Sequence, residues 1–273
     1  MPTFEHRGTE VHYGDSGEGA PLLLLHSGGS SGAQWRKVTD AMMPGHRHLT
    51  PDFYGHGGSA SWQRETVLQH DDQADLAAAV LRDAGLAKSP IDIVGHSYGG
   101  AGAVRMVLRG LAPVRSLVLI EPMLARLLPE AGEADLFAEY EVLAYGFLDR
   151  VAEGRYVDAW RFFIDYRNGA GSWDGFPEKT RARFLAQTDA TYKAFQSNLA
   201  NPTTLSDCRS LNLPVTIVCG ERTTAPDRRV TELLRDTIPG ASYVVIPEAE
   251  HMSPLTHPQQ VADIVARHLA KLA

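Results

Sequence analysis

The sequence predicts an α/β protein in which a mostly parallel central sheet carries helices on both faces and a helical insertion interrupts the core. Three observations predict this class. Short apolar runs that end in turns alternate with helical patterns up to residue 121, the alternation returns after residue 206, and no strand pattern occurs between them. Because such alternation requires crossover connections, we expect the strands it joins to be parallel.

The elements before the insertion follow from periodicity. The opening stretch reads as strands and turns, and residues 22–25 are four consecutive leucines, the pattern of a strand buried on both faces. Residues 71–84 place Leu76, Val80 and Leu81 on one face, which predicts an amphipathic helix. The remaining strands are expected at 47–52, 91–94 and 116–121, and a second helix at 101–111.

The insertion reads as helical throughout. Helices are predicted at 133–152, 155–167 and 178–200, and Pro177 suits the first position of the last one. Further elements are then expected as strands at 215–218 and 243–246 and as helices over 227–237 and from 258 to the C-terminus. We therefore expect residues 1–121 and 207–273 to form the core and residues 122–206 to form the insertion.

Charge and composition exclude several classes of protein. The chain has 273 residues, with 26 basic against 33 acidic side chains and a net charge of −7; proteins that coat nucleic acid or anionic membranes are usually basic. No apolar run approaches the roughly 20 residues of a membrane helix, and the first residues hold no apolar signal core. Cys208 and Cys219 exclude a disulfide framework. One pair stays open, but buried thiols in a cytoplasmic protein are expected.

The insertion is rich in aromatic residues. Fourteen of the 22 in the chain lie there, more than its share of the length predicts. Two explanations stay open: the aromatic rings pack the helices onto the core, or several of them line an apolar substrate pocket. The candidates for the pocket are Trp160, Phe163, Tyr166 and Trp173.

A Gly-x-Ser-x-Gly pattern at residues 95–99 marks Ser97 as the candidate nucleophile. The pattern alone is weak evidence, but it follows the predicted strand at 91–94 and precedes a run of small residues that predicts a helix. Strand, sharp turn and helix form a nucleophile elbow, in which glycines allow backbones to approach closely. The N-terminus of the helix favours negative charge that develops beside the serine. An ordinary glycine-rich turn is the alternative.

A serine hydroxyl is a poor nucleophile without a base. His251 lies in a late loop between the last predicted strand and the last helix, where a base is expected. His257 is the rival, but it directly precedes the last helix and reads as a helix-entry residue. His46 and His48 alternate as metal ligands would, yet no third partner is apparent and no His-Glu-x-x-His motif occurs. We therefore expect His251 to be the base and expect no metal.

Together these motifs resemble the α/β-hydrolase superfamily along nearly the whole chain. The matching pieces, in chain order, are His26-Ser27-Gly28-Gly29, Asp52-Phe53-Tyr54-Gly55-His56-Gly57-Gly58-Ser59, Gly95-His96-Ser97-Tyr98-Gly99, Cys219-Gly220-Glu221 and His251. The resemblance implies the α/β-hydrolase fold, with the catalytic residues in the order serine, acid, histidine. It also implies a helical cap after the sixth strand, which is where the insertion lies, but it specifies no substrate.

The resemblance further implies an oxyanion hole built from two backbone N–H groups. One belongs to Tyr98, the residue after the nucleophile, and the other comes from the loop after His26, with Gly28 expected and Ser27 as the alternative. The family often has His-Gly where this chain has His-Ser, but a backbone donor does not depend on the side chain. By analogy with the removal of single donors, each N–H would stabilise the tetrahedral oxyanion by about 3 kcal/mol.

The acid departs from the commonest family pattern. Many members carry aspartate in Gly-x-x-Asp after the seventh strand, and Thr223 occupies that position here. A threonine supplies no negative charge to orient the histidine. Some members, lactonases and dehalogenases among them, place the acid after the sixth strand, where this chain has Glu121. We expect Glu121 to be the acid, with Asp227 and Glu221 as alternatives.

These residues predict a serine hydrolase that acts on an ester or lactone of a small, apolar molecule without cofactor or metal. The same apparatus could cleave carbon–carbon bonds, transfer acyl groups or form peracids. Serine at position 97 argues against dehalogenase and epoxide-hydrolase chemistry, which uses a carboxylate nucleophile. A ligand receptor or a pseudoenzyme with a partner-binding cap is the alternative from another class. The expected partner is a small-molecule substrate, with no nucleic acid and no membrane; the oligomeric state stays open.

Overall fold

A computed structural model describes residues 2–272 and contains one eight-stranded sheet. The strands are β1 (Thr3–His6), β2 (Thr9–Gly17), β3 (Gly19–Leu25), β4 (Gly45–Pro51), β5 (Ile91–His96), β6 (Val114–Ile120), β7 (Val215–Gly220) and β8 (Ser242–Ile246). They lie in the order β1-β2-β4-β3-β5-β6-β7-β8, and β2 is antiparallel to β1 and β4. All other neighbours are parallel, which confirms the predicted fold class.

Helices cover both faces of this sheet. In chain order they are α1 (Arg36–Ala41), α2 (His70–Asp83), α3 (Tyr98–Leu108), α4 (Leu127–Glu130), α5 (Ala134–Ala152), α6 (Tyr156–Asn168), α7 (Ser172–Gly175), α8 (Glu178–Ala186), α9 (Thr188–Leu199), α10 (Leu205–Arg209), α11 (Ala225–Thr237), α12 (Ser253–Thr256) and α13 (Pro258–Ala270). Helices α4 to α9 lie within residues 122–206, the segment called the cap below. Among residues 2–272, no helix has the length and apolar composition needed to cross a membrane.

The leucine run in β3 shows how the sheet is buried. Leu23 and Leu25 pack into the apolar cluster beneath α2 and α3, whereas Leu22 and Leu24 pack into the opposite cluster beside α1 and α13. All four side chains are fully buried. A strand covered on both faces needs apolar residues at every position, which explains why the sequence shows a continuous run instead of an alternation.

Two helices differ from the sequence expectation. Helix α3 begins at Tyr98 and not at residue 101, so Ser97 directly precedes its first turn. The single helix expected over 178–200 is two helices, α8 and α9, which break at Gln187 (φ −102°, ψ 13°). The short helices α4, α7, α10 and α12 were not predicted, because four or five residues are too few to show a helical period.

The cap is anchored on the core next to the carboxyl ends of the parallel strands. Within the cap, α5 packs against α6 and α9, and both α4 and α5 contact α11 of the core. Residues of α6 and α9 thereby line the same cavity as Ser97, which follows β5, and His251, which follows β8.

Candidate active site

Ser97 occupies the turn between β5 and α3. Its φ is +53°, a left-handed conformation that residues with side chains rarely adopt. A Cβ on Gly95 would lie 2.7 Å from the Cα of Gly100, and one on Gly99 would lie 2.4 Å from the carbonyl oxygen of Leu25. Close backbone approach therefore requires both glycines that flank the serine, and the tight turn presents the hydroxyl at the N-terminus of α3.

Three side chains form a continuous hydrogen-bonded series at the strand ends. His251 Nε2 lies 3.0 Å from Ser97 Oγ, and His251 Nδ1 lies 2.7 Å from Glu121 Oε2. All three residues are buried. His251 stands in the loop between β8 and α12, where its carbonyl oxygen accepts a hydrogen bond from His96 Nε2 at 2.9 Å. The structure thus brings together the residues predicted as nucleophile, base and acid.

Glu121 follows β6 directly and has a φ of +39°. Its Oε1 accepts the Gly220 N–H at 2.6 Å, and its Oε2 accepts the Thr223 hydroxyl at 2.7 Å. Burial alone would raise the pKa of this carboxyl. The hydrogen bond from His251, the charge that the imidazole carries when it is protonated, and the two core donors hold the pKa below its usual range. Thr223, which stands where many family members have aspartate, is therefore a hydrogen-bond donor to the glutamate.

Asp227, the first alternative acid, lies close to the base but is engaged elsewhere. Its Oδ2 is 3.6 Å from His251 Nδ1, beyond hydrogen-bond distance. The same oxygen accepts the Thr224 hydroxyl at 2.8 Å and pairs with the guanidinium of Arg167, which comes from α6 of the cap. Asp227 and Arg167 form a buried ion pair beside the imidazole.

The remaining alternatives, Glu221 and His257, bond to neighbouring loop residues. Glu221 is exposed, and its Oε2 accepts the N–H of Glu248 at 2.8 Å. His257 caps the start of α13, and its Nδ1 lies 2.8 Å from the hydroxyl of Thr256. Both side chains therefore have local structural partners in loops outside the hydrogen-bonded series.

His251 is in the protonation state that a general base needs. Burial is the main effect that lowers the pKa of the imidazole, and the nearby positive charge of Arg167 lowers the pKa further. The hydrogen bond to Glu121 opposes both effects, but the pKa stays below its ordinary value. The ring is therefore neutral at pH 7, with the Nδ1 proton held by Glu121 and the Nε2 lone pair directed at Ser97.

The loop after β3 supplies the second backbone donor near Ser97. The N–H and the hydroxyl of Ser27 both donate to Gln34 Oε1, at 3.2 and 2.8 Å. The N–H groups of Gly28 and Tyr98 have no such partner within residues 2–272. A Cβ on Gly28 would lie 3.8 Å from the Cβ of Tyr98, so the two residues are neighbours. This arrangement favours Gly28 over Ser27 as an oxyanion donor.

Two buried histidines support this loop, a role that the sequence analysis missed. His26 Nε2 accepts the N–H of Phe53 at 3.1 Å, and His56 Nε2 accepts the N–H of Gly29 at 3.3 Å. Burial lowers the pKa of His56 to about 3, so the ring stays neutral and can accept. Both histidines belong to motifs that carry the family resemblance, which is the signal that could have found them.

A cavity of about 260 Å³ lies between core and cap, with Ser97, Tyr98, Gly28 and His251 in its wall. Its cap side is mostly apolar and includes Phe163, Ile164, Phe176, Phe184, Ala194 and Phe195. Polar side chains interrupt this surface at Arg167, Asn168, Thr191 and Asn198. Three of their atoms are buried without a hydrogen-bond partner: Arg167 Nε, Thr191 Oγ1 and Asn198 Oδ1.

Of the four cap aromatics predicted to line a pocket, Phe163 lies in the wall. The prediction is wrong for Trp160, Tyr166 and Trp173, which lie outside it. Trp160 is fully buried and donates its indole N–H to Thr188 Oγ1 at 2.9 Å. These rings pack the cap helices together, the other explanation for the aromatic enrichment.

The aromatic residues that do line the cavity beside Phe163 were not singled out from the sequence. Phe176 precedes α8, Phe184 lies on α8 and Phe195 on α9. The chain breaks at Gln187 between α8 and α9. In one continuous helix over 178–200, Phe184 and Phe195 would point in different directions relative to each other than they do in the two separate helices. No sequence signal marked that break, so the inward faces could not be assigned.

Among the residues that the structure describes, one group of three side chains could hold a metal ion. Glu121, Asp227 and His251 offer ligand atoms within 4.8 Å of one another. However, the guanidinium of Arg167 already neutralises Asp227, and His251 Nδ1 already bonds Glu121. A cation would have to displace Arg167, so this donor set suits proton transfer better than metal binding.

Comparison with known proteins agrees with this architecture. The model of a family described as "Alpha/beta hydrolase family" matches residues 22–264. A 2-hydroxymuconate semialdehyde hydrolase from Pseudomonas sp. (strain CF600) is 27% identical over 96% of this chain and 90% of its own length.

Two solved structures match along almost the whole chain. A thermophilic esterase from Thermogutta terrifontis is 24% identical, with a TM-score of 0.73, over 99% of this chain and 97% of its own. Est816, described as an N-acyl homoserine lactone degrading enzyme, is 23% identical, also with a TM-score of 0.73, over 97% and 99%. At these identities the two likenesses establish the fold, in agreement with the resemblance that the motifs indicate.

Proposed function

The chain belongs to the alpha/beta hydrolase family, and from that premise we propose that it is a serine hydrolase that cleaves an ester or lactone of a small molecule through an acyl-enzyme. The observation that carries the proposal is the hydrogen-bonded series from Glu121 through His251 to Ser97 in the wall of a cavity. A serine beside an imidazole oriented by a carboxylate is the arrangement that activates a hydroxyl for acyl transfer.

In the first half of the reaction His251 acts as a general base. The Ser97 oxygen attacks the carbonyl carbon of the substrate while its proton passes to Nε2, 3.0 Å away. Glu121 stabilises the imidazolium that forms, because its carboxylate bonds Nδ1 at 2.7 Å. His251 then returns the proton to the leaving oxygen, and the acyl group remains on Ser97. An ester loses this oxygen as an alcohol, whereas a lactone keeps it as a hydroxyl on the opened acyl chain.

The second half repeats these roles with water. Water attacks the acyl carbon and gives its proton to His251, which passes it to the departing Ser97 oxygen, and the carboxylic acid is released. In both halves the carbonyl oxygen gains negative charge. We expect the N–H groups of Gly28 and Tyr98, neighbours in the cavity wall, to donate to that oxygen, each with a contribution of about 3 kcal/mol to the stability of the tetrahedral intermediate.

The cavity supports a small substrate with an apolar body and a polar substituent. Its volume of about 260 Å³ lies just below the range that is usual for ligand sites, and its cap side is mostly aromatic and aliphatic. Unpartnered atoms on Arg167, Thr191 and Asn198 interrupt this surface. Because buried polar atoms without partners are costly, we infer that polar groups of the substrate bind there.

Carbon–carbon bond hydrolysis is the second candidate reaction. The observation that favours it is the similarity to the 2-hydroxymuconate semialdehyde hydrolase, which extends over 96% of this chain. The same serine, base and oxyanion donors would serve that reaction, so the triad does not separate it from ester hydrolysis. The leaving group, a carbon that must be protonated instead of an oxygen, is what distinguishes the two.

An active-site label followed by a substrate panel tests the proposal. An aryl phosphonate should modify Ser97, located by peptide mass spectrometry, and Ser97→Ala should not be labelled. Turnover is then compared for aryl esters, lactones and vinylogous diketones, with highest kcat/KM expected for an ester or lactone. Labelling of another serine, together with an active Ser97→Ala enzyme, would refute the proposal, and a preference for the diketone would select the second candidate.

Three further expectations belong to the same proposal. Residues 1–121 and 207–273 serve as the catalytic core and residues 122–206 as the cap that selects the substrate. The mechanism uses side chains and backbone alone, so activity should survive exhaustive chelation.

Cys208 and Cys219 are free and buried, and burial raises the pKa of Cys208 to about 12. Such unpaired thiols suit a reducing compartment such as the cytoplasm.

A further inference from the structure

Two carboxylates from different elements converge on one nitrogen of the base. Glu121, at the end of β6, bonds His251 Nδ1 at 2.7 Å, and Asp227, in the first turn of α11, has Oδ2 at 3.6 Å from the same atom. Both acids are buried, with exposures of 1% and 6%. Since Nδ1 carries a single proton, the neighbours of the two acids decide which of them orients the ring.

The cap supplies a cation to one of these acids only. Arg167, in the last turn of α6, is buried and its guanidinium bonds Asp227. Thr224 donates its hydroxyl to the same carboxylate oxygen, at 2.8 Å. The oxygen of Asp227 that lies near His251 is therefore occupied, whereas the donors that hold Glu121 all belong to the core.

We propose that Arg167 is a positioning residue that clamps Asp227 and thereby leaves Glu121 as the acid that orients His251. The inference rests on the serine-hydrolase function proposed above and gives the cap a role in the chemistry as well as in substrate binding. Without the guanidinium, Asp227 Oδ2 needs to move by only about 1 Å to reach hydrogen-bond distance from Nδ1. A cap that moves away from the core would release this second carboxylate next to the base.

The charges that face His251 come from every element around it. Glu121 projects from β6, Asp227 from α11 and Arg167 from α6, and the His96 ring of β5 lies 5.1 Å away, centroid to centroid. Burial lowers the pKa of His96 to about 3, so that ring stays neutral. Arg167 therefore offsets one of the two carboxylates and leaves one net negative charge to stabilise the imidazolium.

A purely structural role is the competing explanation. A buried ion pair between α6 and α11 would hold the cap on the core, and breaking it would leave an uncompensated charge and destabilise the fold. Loss of activity in an Arg167 variant is therefore not evidence by itself. The two explanations differ in what happens when Glu121 is absent, because only a clamp, once removed, supplies a replacement acid.

The test is a rescue experiment at a fixed pH near 8. Glu121→Ala should lose at least about a hundredfold in kcat; alanine is used because a glutamine amide would itself hold the imidazole in the wrong tautomer. Adding Arg167→Met should restore at least about tenfold, since released Asp227 takes over Nδ1, a coupling typical of residues in contact. The matched control adds Asp227→Asn, which should abolish the recovery.

The outcomes separate the two proposals. If Glu121→Ala retains nearly full activity, the proposed triad is wrong and the clamp with it. If Glu121→Ala is inactive and Arg167→Met gives no recovery in a folded protein, or if recovery persists with Asp227→Asn, the clamp alone is overturned. Thermal unfolding and circular dichroism establish folding for each variant.

The pH profiles of two single variants give a second measurement that does not depend on the rescue. In Arg167→Met two carboxylates face the base, so the pKa of His251 rises and the acid limb of kcat/KM should move up by about one pH unit. In Asp227→Asn the guanidinium is uncompensated, so that pKa falls and the limb should move down. Opposite shifts would show that both charges act on the imidazole, which the clamp requires, and limbs that coincide with the parent enzyme would overturn the clamp.

Discussion

Core and cap meet at one cavity but hold their functional groups by different means. In the core, Ser97 and Glu121 both have positive φ angles, +53° and +39°, and Gly220 fixes the carboxylate through its backbone N–H. Such conformations persist only where the surrounding structure imposes them. In the cap, Phe163 and Arg167 lie on α6, which packs against α5, and Arg167 also forms an ion pair with Asp227 of the core.

This difference indicates a division of roles: the core carries out the chemical step and the cap sets the substrate preference. Groups fixed by the sheet cannot adapt to a substrate, so they should serve every substrate equally in the chemical step. Groups on cap helices can be exchanged without disturbing the strand ends, so they should set preference among substrates. Arg167 is the exception, since it lies on a cap helix but pairs with Asp227 beside the base. The predictions below test whether the division holds.

Ser97→Ala should give the largest effect. Without the hydroxyl no acyl-enzyme forms, and kcat should fall by about 10⁴-fold or more for every substrate, as for nucleophile removal in serine proteases. Substrate binding should remain, since the cavity wall is otherwise unchanged. Steady-state kinetics with two esters of different bulk, alongside thermal unfolding, measures this. A loss confined to one ester would contradict the assignment of Ser97 to the core chemistry.

Glu121→Gln should come next. The amide keeps the shape of the side chain but removes the charge that orients His251, and kcat should fall by at least about a hundredfold while the protein stays folded. Glu221→Gln is the matched control, because that carboxylate follows the neighbouring strand but is exposed, and it should leave kcat unchanged. An inactive Asp227→Asn enzyme beside a nearly normal Glu121→Gln enzyme would show that the acid is assigned wrongly.

The core could be predicted from the sequence because parallel strands bring their carboxyl ends to one edge. Once residues 91–94 and 116–121 were recognised as strands, Ser97 and Glu121 were expected at the same edge of the sheet. Consecutive strands need not be neighbours, as β4 and β5 show, but β5 and β6 are. The hydrogen bond from the Ser27 N–H to Gln34 Oε1 could not be predicted, since it depends on the conformation of the Gln34 side chain. The same holds for the hydrogen bond from Thr223 to Glu121.

Phe163→Ala should change substrate preference more than turnover. The ring lies in the cavity wall, so its removal should shift the ratio of kcat/KM between a short and a bulky ester by about tenfold toward the bulky one. Trp173→Phe is the matched control, because Trp173 is buried outside the wall. It should lower the unfolding temperature and leave the ratio unchanged. Equal shifts in both variants would contradict the assignment of the wall.

The cap aromatics that line the cavity could not be predicted from the sequence, for a physical reason. Aromatic residues at helical spacing satisfy both packing and pocket lining, and the choice depends on how each helix is rotated about its axis. Trp160 and Phe163 lie on the same helix, yet the indole N–H of Trp160 donates to Thr188 inside the cap while Phe163 faces the cavity. That rotation follows from contacts between helices distant in sequence, which periodicity does not encode.

Thr223→Val should have the smallest effect and the most informative one. Valine has nearly the same shape but cannot donate, so Glu121 loses one of its hydrogen bonds while its place in the core is kept. A hydrogen bond to a charged group stabilises it by about 1.5–3 kcal/mol, only part of which changes in the transition state, so kcat should fall by about three- to tenfold.

The loss of this hydrogen bond also raises the pKa of Glu121, so the variant should lose activity at a higher pH than the parent enzyme as the solution is acidified. Thr223→Ser keeps the hydroxyl and should match the parent enzyme. If valine and serine behave alike, the threonine merely fills the position of the commoner aspartate and does not support the acid.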